Sequence, residues 1–328
     1  LGKTLDGRRR LDEQAAFLED FARMAQSEDV DLVIVAGDVF DGVNPPARAE
    51  TLFYDALKRI SDGGRRLTLI VAGNHDNPER LMASGPLAME HGILMAGLPA
   101  TAIPVGAYGR HRVVASGAGY VEIEINGERA VILTVAYPSE KRLGEALYLD
   151  GEEEEARAQT YDNRVKALFE TLQTHFRDDT INIAVSHLFV TGSEPGGSER
   201  GIQLGGSYLV SASSLPERAQ YVALGHIHRP QAVHGTHGRA RYAGAPMPYD
   251  KGEAGMGKRC CVIDVQAGGE AVVRELPLPV YKPIERWRCA GVEAALETCR
   301  AHAGESSYVY LEIETDRALL AEEMKQMR

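Results

Sequence analysis

Four short segments carry the side chains best suited to chemistry: Gly37-Asp38-Val39-Phe40-Asp41, Gly73-Asn74-His75-Asp76, Ser186-His187 and Gly225-His226-Ile227-His228. Their donors are carboxylate, amide oxygen and imidazole. This mixture of hard and borderline ligands suits manganese, iron or zinc better than thiolate-seeking ions. The glycines permit sharp turns that bring side chains close to an ion. One carboxylate bridging two cations, with imidazoles completing each shell, is the arrangement needed for two-metal phosphoryl chemistry. Cations about 3.5–4 Å apart activate a water and neutralise charge on phosphate oxygens. Singly, each piece has a plainer reading. A strand-terminal Asp is commonly a helix cap, and His187 alone fits a hydrogen-bonded core histidine. His226 and His228 alternate, so both point to one face of a strand end. The ordered set of four is the specific signal.

Each segment follows an apolar run of strand length, and ligands at the carboxyl ends of such strands converge on the crevice of an α/β sheet. Leu11, Ala15, Leu18, Phe21, Ala22 and Ala25 recur at helical spacing and predict a helix to about Gln26. Residues 31–36 and 67–72 read as strands buried on both faces, and 47–60 and 78–91 as helices. Residues 119–125 and 129–135 flank Asn126-Gly127 and predict a hairpin on a two-residue turn. An acidic stretch over 150–155 opens a helix running to about His175, a helix start favoured by the macrodipole. Residues 181–186 and 221–224 read as further buried strands, and 238–243 and 259–265 as antiparallel ones. The β-then-α alternation points to an α/β layered fold. Pro277, Pro279 and Pro283 then mark a boundary. Beyond it lie a strand (284–289), a helix (292–301), a strand (307–314) and a final helix, a small α+β module.

The 328 residues are 44% hydrophobic and 25% charged, ordinary for a globular chain with a core of normal size. No run of about 18 apolar residues exists, so no transmembrane helix is expected. The opening residues are rich in Arg and Asp and show no signal-peptide pattern. Cys260, Cys261, Cys289 and Cys299 form no CxxC pair and read as thiols in a reducing compartment. The net charge of −11 argues against a free-standing nucleic-acid binder, unless bound cations offset the carboxylates or a partner supplies basic surface. Leu1 stands where a Met would begin a native chain, and the last helix has no stop signal, so both ends are expected to continue.

The order GDxxD, GNHD, lone His, GHxH resembles the signature of the calcineurin-like metallophosphoesterases. Within them, further stretches resemble the SbcD-type nuclease subunits that partner an SMC-like ATPase. These are Leu1 to Arg8, Asn44-Pro45-Pro46, the Arg229-Pro230 that follows His228, and Tyr242 to Tyr249. The resemblance covers essentially the whole chain. It implies a four-layer α/β/β/α sandwich over residues 1–276 and a capping domain over 277–328. It also implies two divalent ions, manganese foremost. By the same resemblance Asp38 would bridge the ions, Asn74, His187 and His226 would complete one, and His228 would hold the other. His75 would face the scissile phosphate, while Asp41 and Asp76 would orient loops or a neighbouring imidazole. One family element is missing. The DxH motif, which adds an Asp and a His to the His228 ion, is expected directly ahead of Leu1 together with a first core strand.

The implied activity is exonuclease action on double-stranded DNA ends and endonuclease action on single strands or hairpins, gated by the partner's ATP hydrolysis. A cytoplasmic, nucleoid-associated location goes with it. Lys3, Arg8, Arg9 and Arg10 lie near the expected motif and read either as phosphate contacts or as a solvated helix start. Tyr249 and Lys251 could line the cleft, although Tyr249 equally fits a core position. The helices over 47–60 and 78–91 either pair with a second copy, as in the family's homodimers within a heterotetramer, or serve the monomer core. Two rivals stand beside this reading. A protein phosphatase of the superfamily would carry Arg and Glu where Gly42 and Asp76 stand. A non-catalytic scaffold would have no use for Asp38, Asn74 and three matched imidazoles.

Overall fold

The computed structural model describes residues 1–147, 161–199 and 208–327. Helices α1 (Leu11–Ser27) and α2 (Ala47–Ser61) lie over a parallel sheet of β1 (Leu32–Ala36), β2 (Leu67–Val71) and β3 (Ile93–Ala96), in that order. The apolar stripes of the two helices meet at Ala22, Ala25, Ala56 and Ile60, which close over Val33. The single helix expected over 78–91 is instead α3 (Pro78–Met82), α4 (Gly85–Ala88) and a 3-10 turn at Met89–His91. Gly85-Pro86 is the cause. Proline has no N–H for an intrahelical bond, so it sits in the first turn of a new helix.

The second sheet holds β4 (Gly106–Tyr108), β5 (His111–Gly117), β6 (Tyr120–Ile125), β7 (Glu128–Val135), β8 (Ile181–His187), β9 (Tyr221–Gly225), β10 (Gln231–Ala232) and β11 (Ala240–Tyr242). Their order is β10-β11-β9-β8-β7-β6-β5-β4. The strands β7, β8, β9 and β11 run parallel, and the rest pair antiparallel. Thus β11, expected to be antiparallel, is so only toward β10. The β6–β7 hairpin turns at Asn126 and Gly127, both at positive φ (51° and 87°), as a two-residue turn matched to strand twist requires.

Alternation along β7 shows how the layers form. Val131, Leu133 and Val135 face α5 (Glu140–Leu147) and α6 (Tyr161–Leu172) through Leu143, Val165 and Phe169. Ala130 and Ile132 face the other way, toward Leu69 and Val71 of the first sheet. The result is helix, sheet, sheet, helix. The acidic stretch 150–155 lies outside the described residues, and the far end of its expected helix is α6 followed by a 3-10 turn at Gln173–His175.

Strand β12 (Arg259–Asp264) pairs antiparallel with β13 (Val272–Pro277), a strand that Arg274 and Glu275 hide from a periodicity reading. The chain then forms β14 (Ile284–Cys289), α7 (Val292–Ala301), β15 (Tyr308–Ile313) and α8 (Ala321–Gln326), with β14 and β15 parallel. The Tyr308 and Tyr310 hydroxyls donate to Glu13 and Asp6 and tie this unit to the body. Strand β1 ends the first sheet, and along it runs a cavity of about 1090 Å³ lined by Phe21, Val33, Val35, Ile183, Ala223 and Val262. Asp38, His75, His187, His226 and His228 also line it.

Candidate metal centre

Strands β1 and β2 of one sheet and β8 and β9 of the other end at the same place, and the four chemical segments begin there. Two glycines allow the sheets to approach this closely. A methyl group on Gly225 would overlap Ala36 O, and one on Gly73 would overlap the backbone N and carboxylate of Asp38. Asp38 and His226 both adopt positive φ, 53° and 97°, in a region that non-glycine residues rarely occupy. Such strain, on the order of 1–3 kcal/mol per residue, persists where the surroundings over-determine it.

The donors converge. His187 Nε2 lies 3.3 Å from Asp38 Oδ2 and 3.0 Å from Asn74 Oδ1, and His226 Nδ1 lies 3.1 Å from the same Asn74 oxygen. Among the described residues, Asp38, His187 and His226 form the group of His, Cys and acidic side chains close enough to hold one cation. Neighbouring ligand atoms around an octahedral ion at ~2.1 Å stand ~3 Å apart, which is the spacing seen. The other nitrogen of His187, Nδ1, donates to Ala36 O at 2.8 Å and so leaves Nε2 free to coordinate. The charges of these groups are coupled to one another. Burial opposes ionisation of Asp38, but His187 and His75 hold its carboxyl well below the usual range. Burial opposes a charged His187, yet Asp38 raises it. Burial, with His187 beside it, pushes His226 down to about 3, so its imidazole is neutral with a free lone pair.

The remaining candidates fall around this centre. The His75 backbone N–H donates to Asp38 Oδ1 at 3.0 Å, and its Nδ1 meets Asp41 O at 3.0 Å, which sets the ring at the cavity. Asp76 is 2% exposed and accepts the N–H groups of Val39, Phe40 and Gly73, clamping the Asp38 and Asn74 loops together. Burial raises its carboxyl pKa, and those hydrogen bonds work against the rise. His228 lies apart from the Asp38 group, its Nδ1 turned toward Ser198 Oγ at 2.5 Å and Glu253 Oε1 at 3.4 Å.

The expected DNA contacts separate. Arg8 and Arg9 are exposed, and Lys251 is exposed in a 3-10 turn at Lys251–Glu253. Lys3 is half-buried, donates to Ser198 O and lies over the Tyr249 ring. Arg10 is 2% exposed, paired with Glu13 and Pro248 O and stacked on Tyr249 and Tyr308, so it faces protein and not solvent. Tyr249 is half-buried at the cavity wall. Sequence reasoning missed Ser198, Glu199, Glu253 and Lys258, which surround His228. Ser198, Glu199 and Lys258 lie on irregular chain and Glu253 ends a 3-10 turn, so no spacing reveals a shared destination.

Residues 9–230 match the family of calcineurin-like phosphoesterases. The chain belongs to that family, and its donor set fits the divalent metal ions that membership implies. Among its relatives is the SbcD subunit of the SbcCD nuclease from Bacillus subtilis, 40% identical over 329 residues that cover 100% of this chain and 80% of the relative. Another is the SbcD subunit of the same nuclease from Rhodobacter capsulatus, 33% identical over 330 residues covering 97% and 78% respectively. The resemblance to SbcD-type subunits read from the motifs is borne out along the whole chain, and the hydrolase class with it.

Proposed function

We propose that this protein is the nuclease subunit of a DNA-processing complex, a phosphodiesterase working with an SMC-like ATPase of the SbcC type in break repair and recombination. The observation that carries the metal chemistry is the convergence of Asp38, Asn74, His187 and His226 from two sheets on one point. Two divalent ions, manganese foremost, supply Lewis-acid charge and a nucleophile at neutral pH when bound. Asp38, Asn74, His187 and His226 would hold one of them, and His228 would serve the other. His75, seated on Asp41 O, presents its Nε2 to the scissile phosphate, where it stabilises developing charge or delivers a proton to the leaving oxygen.

The open edge of β1 supports a further part of this reading. A cavity of about 1090 Å³ lined by apolar side chains along an edge strand is room for another extended segment, since interiors pack without such voids. Leu1 O accepts from Asp41 N at 2.9 Å, so the chain there already runs beside the metal loops.

Exposed Arg8, Arg9 and Lys251 contact DNA phosphates without reading sequence, and the partner supplies further basic surface. No helix among the described residues is long and apolar enough to cross a membrane; the cytoplasmic, nucleoid-associated location is taken from the likeness to the nuclease subunits. A homodimer through α2, α3 and α4 within a heterotetramer completes the assembly; Tyr54 and Leu87 are exposed there. The deciding experiment compares linear duplex DNA with a small aryl phosphodiester in Mn2+, with ATP and the partner present. Degradation of duplex ends is expected. Turnover of the small ester with no action on DNA would overturn the nuclease reading.

A further inference from the structure

His228 is held by a chain of groups that the metal centre itself does not explain. Its backbone N–H donates to Glu199 Oε1 at 2.7 Å, and the same carboxylate gathers the N–H groups of Gly196 and Gly197. The loop is thereby folded down over the imidazole. Ser198, on that loop, stands between His228 Nδ1 and Glu253, and its hydroxyl donates to Glu253 Oε1. Glu253 is 0% exposed and Lys258 is 3% exposed. The Lys258 ammonium donates to the second Glu253 oxygen and, at 3.0 Å, to His228 O. Glu253 is thus a carboxylate ion-paired with Lys258 on one oxygen and bonded by the Ser198 hydroxyl on the other.

The direction of this chain follows from donor counting. A carboxylate has no proton to give, so the Ser198 hydroxyl must donate to Glu253 and can only accept from the other side. The group on that side is His228 Nδ1, which must therefore carry the proton. We propose that Ser198, Glu253 and Lys258 form a positioning relay that fixes His228 as its Nδ1–H tautomer and aims the Nε2 lone pair into the cavity as a metal ligand. The inference rests on the reading of His228 as a ligand. It adds the groups that make His228 competent, just as Ala36 O does for His187 through a backbone carbonyl. Glu253 lies on the Nδ1 side of His228, with Oε1 engaged by Ser198 and His228 and Oε2 by Lys258. Burying an acid and a lysine here is costly unless the pair is closed by hydrogen bonds, and this one is closed on every side.

The test uses the full-length protein, with its partner present for activity. In 15N-histidine spectra of the metal-free protein, the His228 signals, assigned by comparison with His228→Ala, are expected to show protonation at Nδ1. Protonation at Nε2 in the wild type would overturn the relay without recourse to any variant. Ser198→Ala is expected to mix the two tautomers, to weaken one of two Mn2+ sites about 10- to 100-fold by titration calorimetry, and to raise the Mn2+ requirement for nuclease activity equally. At saturating Mn2+ its kcat stays within about twofold, and Ser198→Thr, which keeps the hydroxyl, restores both tautomer and affinity. Two failures are distinguishable. If His228→Ala binds two Mn2+ ions as the wild type does, His228 is no ligand. If His228→Ala loses an ion while Ser198→Ala keeps wild-type affinity and tautomer, the relay is wrong and the ligand reading stands.

Discussion

Asp38, His75 and Asp76 sit within a few residues or a few ångströms of one another and do different work. Asp38 presents its carboxylate to two imidazoles; His75 is seated on Asp41 O without joining the Asp38–His187–His226 group. Replacing His75 with Ala should therefore cut DNA hydrolysis about 10²- to 10⁴-fold while metal content by elemental analysis is unchanged. Loss of the metals in that variant would show that His75 is a ligand. Asp76 has a structural task, since its carboxylate is shared among three backbone N–H groups. Asp76→Ala leaves those buried donors unpaired, at a cost of about 3 kcal/mol in urea denaturation, and metal binding should weaken with it. An unchanged urea midpoint would contradict the clamp. These positions are legible in the sequence as chemically capable residues. The difference between ligand, acid and clamp is legible only from what each atom faces.

At the level of elements, the site depends on strand ends from two sheets meeting with almost no space between them. Gly225 faces Ala36 across that junction, and no side chain fits. Gly225→Ala forces the β1 and β9 ends apart; overpacking of this kind costs about 1–3 kcal/mol. Because the proposed ligands ride on those ends, the variant should lose Mn2+ affinity by more than its fall in thermal stability suggests. An alanine variant with wild-type affinity would mean that the sheets can separate without disturbing the donors. The elements themselves are largely legible, because buried parallel strands read as continuous apolar runs and α1, α2 and α6 carry one-sided stripes. The misreadings have local causes: Gly85-Pro86 inside an apparent helix, and charged Arg274 and Glu275 inside β13.

Over the whole molecule, a few charge clusters hold layers together away from the site. Glu122 on β6 accepts from Arg177 at 2.8 and 3.1 Å and from Arg129 on β7 at 3.0 Å, joining the hairpin to the chain that enters β8. The Arg177 hydrogen bonds, and then those of Arg129, lower the Glu122 pKa below its ordinary 4.5 against the opposing effect of burial. A depressed carboxyl pKa contributes stability that is present above the unfolded value and lost as pH falls through the folded one. Glu122→Gln should thus destabilise by roughly 0.5–1 kcal/mol at pH 7, discounted for partly exposed arginines. The difference from wild type should close as pH falls below about 4.5. A gap that does not narrow at all as pH falls below that point would assign the effect to packing and not to charge.

What the sequence determined by itself is the set of donors, their attachment to strand ends and the alternation that separates two sheets from two helical layers. Local spacing encodes these, because side-chain direction in a strand or helix repeats over two to four residues. What only the tertiary structure decided is which distant residues share a place. Glu253 and Lys258 come to His228, Arg10 turns inward onto Tyr249 and Tyr308, and β1 is left beside an apolar slot. Such meetings are set by how layers pack across hundreds of residues, and no period along the chain records them.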